Sequence, residues 1–326
     1  MGSALVGTGP FFVADQRDDQ IEMQANRTYF PAAPAIDRIV IKPYTSVRAA
    51  WADMLRGQVD VLYDVGVDAL DSLEASRNVK VYTFQRGYAY VLLLNLRKSY
   101  IRDADFRRLL NAAVDRDEIV RDVLRGHGAP ASGPVWPQHW AYTPDLPKFR
   151  YQPRPVVADG ARRRLTCIFS EPSYERLALV VQRQLQAVGV DLELELVSDN
   201  RVFAHRLEVG DFDAFLTDIP QGPPLVRPYL FWHSRAPFNV GQFSSQQVDD
   251  AFDAIRHAAD DSEYKAGVAA FQRAIVNDPP AIFLAWRERA RAVSTRFLVP
   301  VEPGADILTA LHLWRPASDE RLARRN

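Results

Sequence analysis

A chain of 326 residues is long enough for two globular lobes, each burying its own core. Its 40 Lys and Arg residues against 41 Asp and Glu leave a net charge of -1 without a long run of either sign, so nucleic acid is not an expected partner. The single cysteine, Cys167, excludes an intrachain disulfide and a thiolate metal cluster, and no apolar run is long enough to span a bilayer, so no direct membrane insertion is expected.

The opening MGSALVGTGPFF does not read as a secretion signal. VGTGPF (Val6 to Phe11) lacks the third glycine of a dinucleotide fingerprint and the Lys-Ser/Thr of a phosphate loop, so it reads as a turn. FFVAD and QIEMQ flank the polar Gln16 to Asp19 and predict a hairpin. IDRIVIKPY (Ile36 to Tyr44) is a predicted strand. The helix predicted over TSVRAAWADMLRGQ has Val47, Ala50, Trp51, Met54 and Leu55 on one face and Gly57 where a C-cap is needed. VDVLYDV follows as a short buried strand, VDALDSLEAS as an amphipathic helix and VKVYTF as a strand. This alternation predicts parallel α/β units in the first lobe.

YAYVLLLNLRK (Tyr88 to Lys98) is apolar from Val91 to Leu94 without alternation, as in a strand covered on both faces, and is the first candidate crossing between lobes. ADFRRLLNAAVDRDEIVRDVLRG predicts two helices; Asp115 is the N-cap of the second, Glu118 completes a capping box and Gly126 ends it. The stretch from His127 to Pro155 is rich in aromatics, which need something to pack on, so it reads as an ordered loop. Arg162, Arg163 and Arg164 read as a solvated edge to the following strand. RLTCIFSEPSYERLALVVQRQLQAVGVDLELELV predicts a βαβ unit: a strand to Ser170, Pro172 in the first helical turn, a stripe of Leu177, Val180, Val181, Leu185 and Val188, and a stop at Gly189. An alternating strand then runs from Val190. A helix around Val202 to Val209, a strand FDAFL and helices over Gln246 to Ala259 and Ser262 to Asn277 follow, the last ended by Pro279 and Pro280. AIFLAW (Ala281 to Trp286) is the candidate return crossing. The expected division is residues 1–90 with 281–326 as lobe one and 91–280 as lobe two, with the polar tail SDERLARRN fraying.

Several chemistries lack their signatures: there is no G-x-S-x-G, and the six histidines form neither an i, i+4 pair nor H-E-x-x-H, so no metal site or cofactor is expected. Asp213 and Asp218 could in principle act as a hydrolytic carboxylate pair, although solvated or capping roles suit them better. Aromatics cluster near the candidate crossings, namely Tyr88, Tyr90, Trp136, Trp140, Tyr229, Phe231, Trp232 and Trp286. They suit a partly apolar solute, and core packing is the competing explanation for each. In IPQGPPLVRPYLFWHS, Arg227, Trp232 and His233 offer charge, stacking and hydrogen bonds. The candidate ligand-binding set is therefore Tyr88, Tyr90, Asp218, Arg227, Trp232, His233 and Trp286.

Taken in order, VGTGPF, NRTYF, IDRIVIKPY, AAWADMLRGQVDV, YAYVLLLNLRK, DADFRRLLNAAVDRDEIVRDVLRGHGAPASGPVWPQHWAY and PPAIFLAW resemble the extracytoplasmic solute-binding proteins of ABC importers, family 5, the peptide, nickel and oligosaccharide type. The resemblance implies an α/β, two-lobed periplasmic-binding-protein-like clamp (type II), crossed at Tyr88 to Lys98 and at Ala281 to Trp286. It implies capture of a peptide or similar oligomeric solute between the lobes and delivery to ABC transporter permease subunits, in the periplasm or at the outer face of the bacterial membrane. Neither a cofactor nor covalent chemistry is implied. In peptide-binding members, an acidic residue in the loop after the FDAFL-like strand pairs with the peptide's amino terminus. Here Asp218 is nearby, but Gly222-Pro223-Pro224 replaces the Asp-Pro-Asp-like pattern, a departure from free-peptide recognition. VGTGPF lies well inside family members, so the chain is expected to be N-terminally truncated relative to them, with an unpaired sheet edge in lobe one. The alternatives are a ligand-sensing domain of a regulatory protein, which an upstream helix-turn-helix would favour, and a hydrolase using the Asp213 and Asp218 region.

Overall fold

The computed structural model describes residues 7–156, 162–221, 225–302 and 304–317. The chain divides into two compact units, Met1–Gln85 with Glu288–Asn326 and Arg86–Arg287; the expected boundaries at residues 90 and 281 both fall inside the second. Val6, Gly222-Pro223-Pro224 and the tail SDERLARRN lie outside the described residues.

Unit one begins with β1 (Phe11–Gln16), β2 (Ile21–Ala25) and β3 (Arg38–Ile41), an antiparallel sheet in that order. Phe12, Val40 and Ile41 stand exposed on it. Helix α1 (Val47–Leu55) starts where the Ser46 hydroxyl accepts from the Ala49 N–H at 3.2 Å, a cap that contributes about 1 kcal/mol. Of its predicted apolar face only Met54 is buried, while Val47 and Leu55 are exposed. The cluster it packs on (Leu62, Val65, Leu70, Leu73, Val79) reaches the middle of the helix, where Ala50 and Trp51 sit, and not its ends. β4 (Val61–Leu62) and α2 (Val67–Glu74) lead to β5 (Val79–Leu94). The two strands expected over VKVYTF and YAYVLLLNLRK are one strand of 16 residues. It stops at Leu94 because the buried Asn95 amide turns aside to donate to the Gly210 and Phe212 carbonyls, at 3.1 and 2.8 Å.

In unit two, α3 (Ala104–Ala112) is capped by Asp103, and α4 (Arg116–Glu118) runs into a π-turn at Ile119–Val123. The Asp115 carboxylate caps α4 through the Asp117 and Glu118 N–H groups, both at 3.1 Å. The reciprocal half of the capping box is rewired: the Asp115 N–H donates to Gln184 Oε1 at 3.1 Å, and Glu118 instead takes Gln184 Nε2 and Arg183. After β6 (Gly128–Pro130), β7 (Arg163–Phe169), α5 (Glu175–Ala187) and β8 (Val190–Leu196) form the predicted βαβ unit, in parallel register from Arg163↔Val190 to Phe169↔Leu196. Gly189, at φ +93°, makes the left-handed stop between helix and strand that a Cβ would disfavour. α6 (Asn200–Val209) leads to β9 (Ala214–Pro220), parallel to β7 and antiparallel to β5. α7 (Val226–Trp232), α8 (Gln246–His257), α9 (Asp261–Asn277) and β10 (Ala281–Ser294) follow. At Gly267 the α8–α9 approach is so close that a Cβ would sit 2.9 Å from Ile255 Cγ1.

The unit-two sheet runs β10-β5-β9-β7-β8, with β6 paired to β10. Alternate side chains of β5 feed opposite cores: Tyr90, Leu92 and Leu94 meet Phe106, Leu110, Leu177 and Val181, whereas Val91 and Leu93 meet Phe252, Phe271, Ile275 and Phe283. Three polar side chains fasten α3 and α4 to the entry of β10. Arg107 donates to the Pro279 carbonyl at 2.8 Å and to Asp278 at 2.7 Å. The Asn111 amide donates to the Ala281 carbonyl at 2.9 Å, and Arg116 Nε donates to the Phe283 carbonyl at 2.8 Å. Arg116 further donates to the carbonyls of Ala131, Asn111 and Val114 and to Asn111 Oδ1, and its guanidinium lies 5.5 Å from the Phe149 ring centroid.

β10 continues into unit one, where β11 (Phe297–Leu298) and β12 (Arg315–Pro316) complete the strands. The unit-one pairs β1–β2, β2–β3, β4–β10 and β11–β12 are all antiparallel, against the parallel α/β expectation. β3 and β4 belong to different sheets and β10 inserts between β4 and β5, so strands joined by helices never become neighbours. Fully buried Arg291 forms a two-point ion pair with Asp306, at 3.2 and 2.8 Å. Its guanidinium lies 4.0 Å from the Tyr63 ring centroid and 4.9 Å from that of Phe84.

The loop from His127 to Pro155 is ordered by burial of Ala131, Val135, His139, Ala141 and Phe149. His139 stacks with Trp140 and Tyr264, and its Nδ1 accepts from the Ala141 N–H at 3.0 Å. Burial lowers its pKa from 6.5, and a proton on Nδ1 would set a donor against a donor. The folded state therefore favours neutral imidazole: the stability it contributes is complete above the unfolded pKa and is lost as pH falls through the lower folded one. Urea midpoints are expected to decline from about pH 7 to about pH 5, and His139→Asn, which keeps an acceptor for Ala141 without titrating, is expected to flatten that decline. An unchanged slope in the variant would show that other groups set it.

Candidate functional site

The β5–β9 register sets Tyr90 opposite Asp218 and Tyr88 opposite Pro220, and residues two apart on a strand share a face. Tyr174 reaches the same place from the 3-10 turn Pro172–Tyr174 that follows β7, a turn begun by proline at its first position. Its hydroxyl donates to Asp218 Oδ1 at 2.8 Å, while Arg287, from β10, donates through Nη1 to Asp218 Oδ2 at 3.2 Å. The Arg287 guanidinium lies 5.8 Å from the Tyr90 ring centroid, and Tyr90 meets Tyr174 edge to face at 5.6 Å. Burial first, and then the Asp218 charge, raises the Tyr174 pKa, so this hydroxyl stays a donor. The Asp218 and Arg287 side chains are 17% and 23% exposed, so their charge-assisted contact is shielded from water without being sealed from it. On α7, exposed Arg227 places Nη1 3.5 Å from the Tyr88 hydroxyl oxygen.

Four of the seven predicted site residues thus gather in unit two, as the cluster Tyr90–Asp218 and the pair Tyr88–Arg227. Trp232 and Trp286 do not join them. They are 1% and 2% exposed in the core on the other sheet face, where the Trp232 indole N–H donates to Gln221 Oε1 at 3.2 Å. His233 ends α7; its Nδ1 accepts from the Arg235 N–H at 3.1 Å and its Nε2 lies 3.8 Å from Asp249. Trp232 and Trp286 serve packing and His233 a local turn; Tyr90 and Tyr174, 8% and 9% exposed, are themselves largely buried at the edge of the core on their own sheet face. Asp218 itself lies on β9 and not in the loop beyond it. Tyr174 and Arg287 escaped the sequence reading. Tyr174 does sit just past the carboxyl end of a parallel strand, where α/β folds place ligands, and Arg287 is the first charge after the apolar run AIFLAW.

The hydrolytic pair is excluded by geometry. Five residues of extended chain, roughly 16 Å, separate Asp213 from Asp218, beyond the ~9.5 Å over which two carboxylates flank a glycosidic bond. Asp213 is engaged by the Tyr100 hydroxyl at 2.5 Å and the Thr166 N–H at 2.8 Å. Burial and this contact push the Tyr100 pKa up to about 12. Among the described residues, no group of three or more His, Cys, Asp or Glu side chains is placed to hold a metal ion, and no helix is long and apolar enough to cross a membrane. A cavity of about 610 Å³ in unit one is lined by Lys80, Tyr82, Phe297, Leu298, Leu313 and Arg315, and none of the predicted site residues reaches it.

The solved structure of NikZ from Campylobacter jejuni in complex with Ni(L-His) matches with a TM-score of 0.85 at 20% identity, over 96% of this chain and 69% of that one. The fold is that of the periplasmic binding proteins. The family described as bacterial extracellular solute-binding proteins, family 5 Middle, matches residues 2–239, and the chain belongs to it. It is 23% identical over 293 residues to the probable D,D-dipeptide-binding periplasmic protein DdpA of Escherichia coli (strain K12), covering 85% of this chain and 56% of that one. It is 25% identical over 312 residues to the oligopeptide-binding protein AppA of Bacillus subtilis (strain 168), covering 86% and 56%. The chain thus spans about half the length of these relatives.

Proposed function

We propose that the chain is the solute-binding part of an ABC importer, capturing a peptide or similar oligomeric solute outside the cytoplasm and presenting it to permease subunits. The observation that carries this reading is the Tyr90–Tyr174–Asp218–Arg287 cluster, in which aromatic faces and fixed hydrogen-bonding groups are preorganised without a nucleophile and base. The dipeptide and oligopeptide names of the relatives support a peptide-like cargo. Binding suffices for this role, because a solute shifts a conformational equilibrium by its differential affinity alone.

Denaturing the purified full chain and identifying the released small molecules by mass spectrometry tests the reading. Re-addition of the released solute is expected to raise the unfolding temperature, and Tyr174→Phe with Asp218→Asn to reduce occupancy about tenfold. Equal occupancy in the double variant would move the site elsewhere. Absence of any released or added solute effect would end the reading.

A further inference from the structure

We infer that the open cavity of unit one is a second binding site, one that takes a small amphipathic anion: an acyl chain ending in a carboxylate. The inference does not depend on the solute-binding reading, because no residue of the unit-two site lines this cavity. Its volume of about 610 Å³ falls in the range of small-molecule sites. Phe297, Leu298, Val299, Pro300 and Leu313 form an apolar wall. The wall is held from behind: Leu298 pairs with Arg315 across β11 and β12, and Phe297 and Val299 rest on the core of Val293, Ile307 and Trp314.

The charged lining has one sign. Lys80 and Tyr82, two residues apart on β5, share a sheet face, and Arg315 stands on β12. Among the described residues no carboxylate lines the cavity, and neither Lys80 nor Arg315 forms an ion pair; the Lys80 ammonium lies 5.1 Å from the Tyr82 ring centroid. The Thr295 hydroxyl is engaged, donating to the Asn78 carbonyl at 3.3 Å. The half-buried Tyr82 hydroxyl has no hydrogen bond among the described residues, and burial raises its pKa, so it stays a donor. A carboxylate head answers these groups, Arg315 through its planar fork and Lys80 as a point charge, while the acyl chain covers the wall. A neutral head leaves both cations unanswered, and a cationic one is repelled. Because Lys80 and Arg315 are exposed, salt weakens the head contact and the chain supplies most of the affinity.

Isothermal titration of the full chain at low ionic strength with decanoate, decanol and decyltrimethylammonium tests the inference. Decanoate is expected to bind with a Kd of about 10–100 μM, decanol about fivefold or more weakly, and the ammonium not at all. Shortening decanoate to octanoate is expected to weaken binding about two- to fourfold for each methylene removed. Lys80→Gln with Arg315→Gln is expected to bring decanoate to the level of decanol. Leu313→Glu, which sets a negative charge on the wall, is expected to abolish decanoate binding. All three positions are exposed, and unchanged unfolding temperatures confirm that the variants fold. Decanol or the ammonium binding as tightly as decanoate overturns the anion site, as does decanoate binding unchanged in either variant. Failure of decanoate to bind up to about 1 mM overturns it as well.

Discussion

Replacing Arg116 by methionine is expected to lower the stability of the chain by about 3–5 kcal/mol, through a shift of the urea midpoint without a change in slope. The side chain is 5% exposed, and its three guanidinium nitrogens reach the carbonyls of Ala131, Phe283, Asn111 and Val114 and Asn111 Oδ1, at 2.8 to 3.1 Å. Burial lowers its pKa to about 9 against the opposing pull of Asp115 and Asp117, so it is still a cation at neutral pH. An apolar replacement of a buried ion pair can be neutral when both partners leave together. Here the acceptors are mostly backbone and remain behind, each costing about 1–3 kcal/mol if nothing replaces the donor. Lysine at this position restores the charge without the fork and is expected to recover only part of the loss. A loss in the methionine variant below about 1 kcal/mol would show that these carbonyls find other donors.

Asp306→Ala is expected to destabilise by a similar amount, about 3–5 kcal/mol, for a different reason. It strands the Arg291 charge, which is wholly buried against Tyr63 and Phe84 and answered by the two Asp306 oxygens. It also removes the acceptor for the Leu308 N–H at the start of the 3-10 helix Ile307–Leu313. The double variant Arg291→Met with Asp306→Leu takes both charges away and is expected to regain most of the loss. If the double variant is no more stable than Asp306→Ala, the stranded charge is not the cause.

Those two clusters mark where sequence reading ran out. The βαβ unit was legible because its signals are local: apolar alternation in β8, a helical stripe in α5 and Gly189 between them agree on one answer. The capping role of Asp115 was equally local, whereas the destination of Glu118 depended on Gln184, 66 residues away. The same distance problem hid Arg287 from Asp218, since spacing along a chain carries no information about which strands become neighbours. Aromatic content misled in the other direction. Trp286 and Arg287 are adjacent, yet the indole enters the core shared with Phe283 while the guanidinium meets Tyr90 and Asp218. Simple alternation along β10 would part Trp286 from Phe283; the strand departs from it at Leu284 and Ala285, which both join the core of Tyr90 and Leu92, and no local signal in the sequence marks that departure.

This irregularity has a consequence for how the gene can change. Between the Asn111 anchor at Ala281 and the β6 pairing at Trp286↔Ala129, one residue beyond strict alternation is already accommodated, as in a bulge. Deleting Leu284 or Ala285 would restore the alternation and still leave the indole beside Phe283 and the guanidinium toward Asp218. The extra residue is therefore a point where the length of β10 can change without exchanging its two faces.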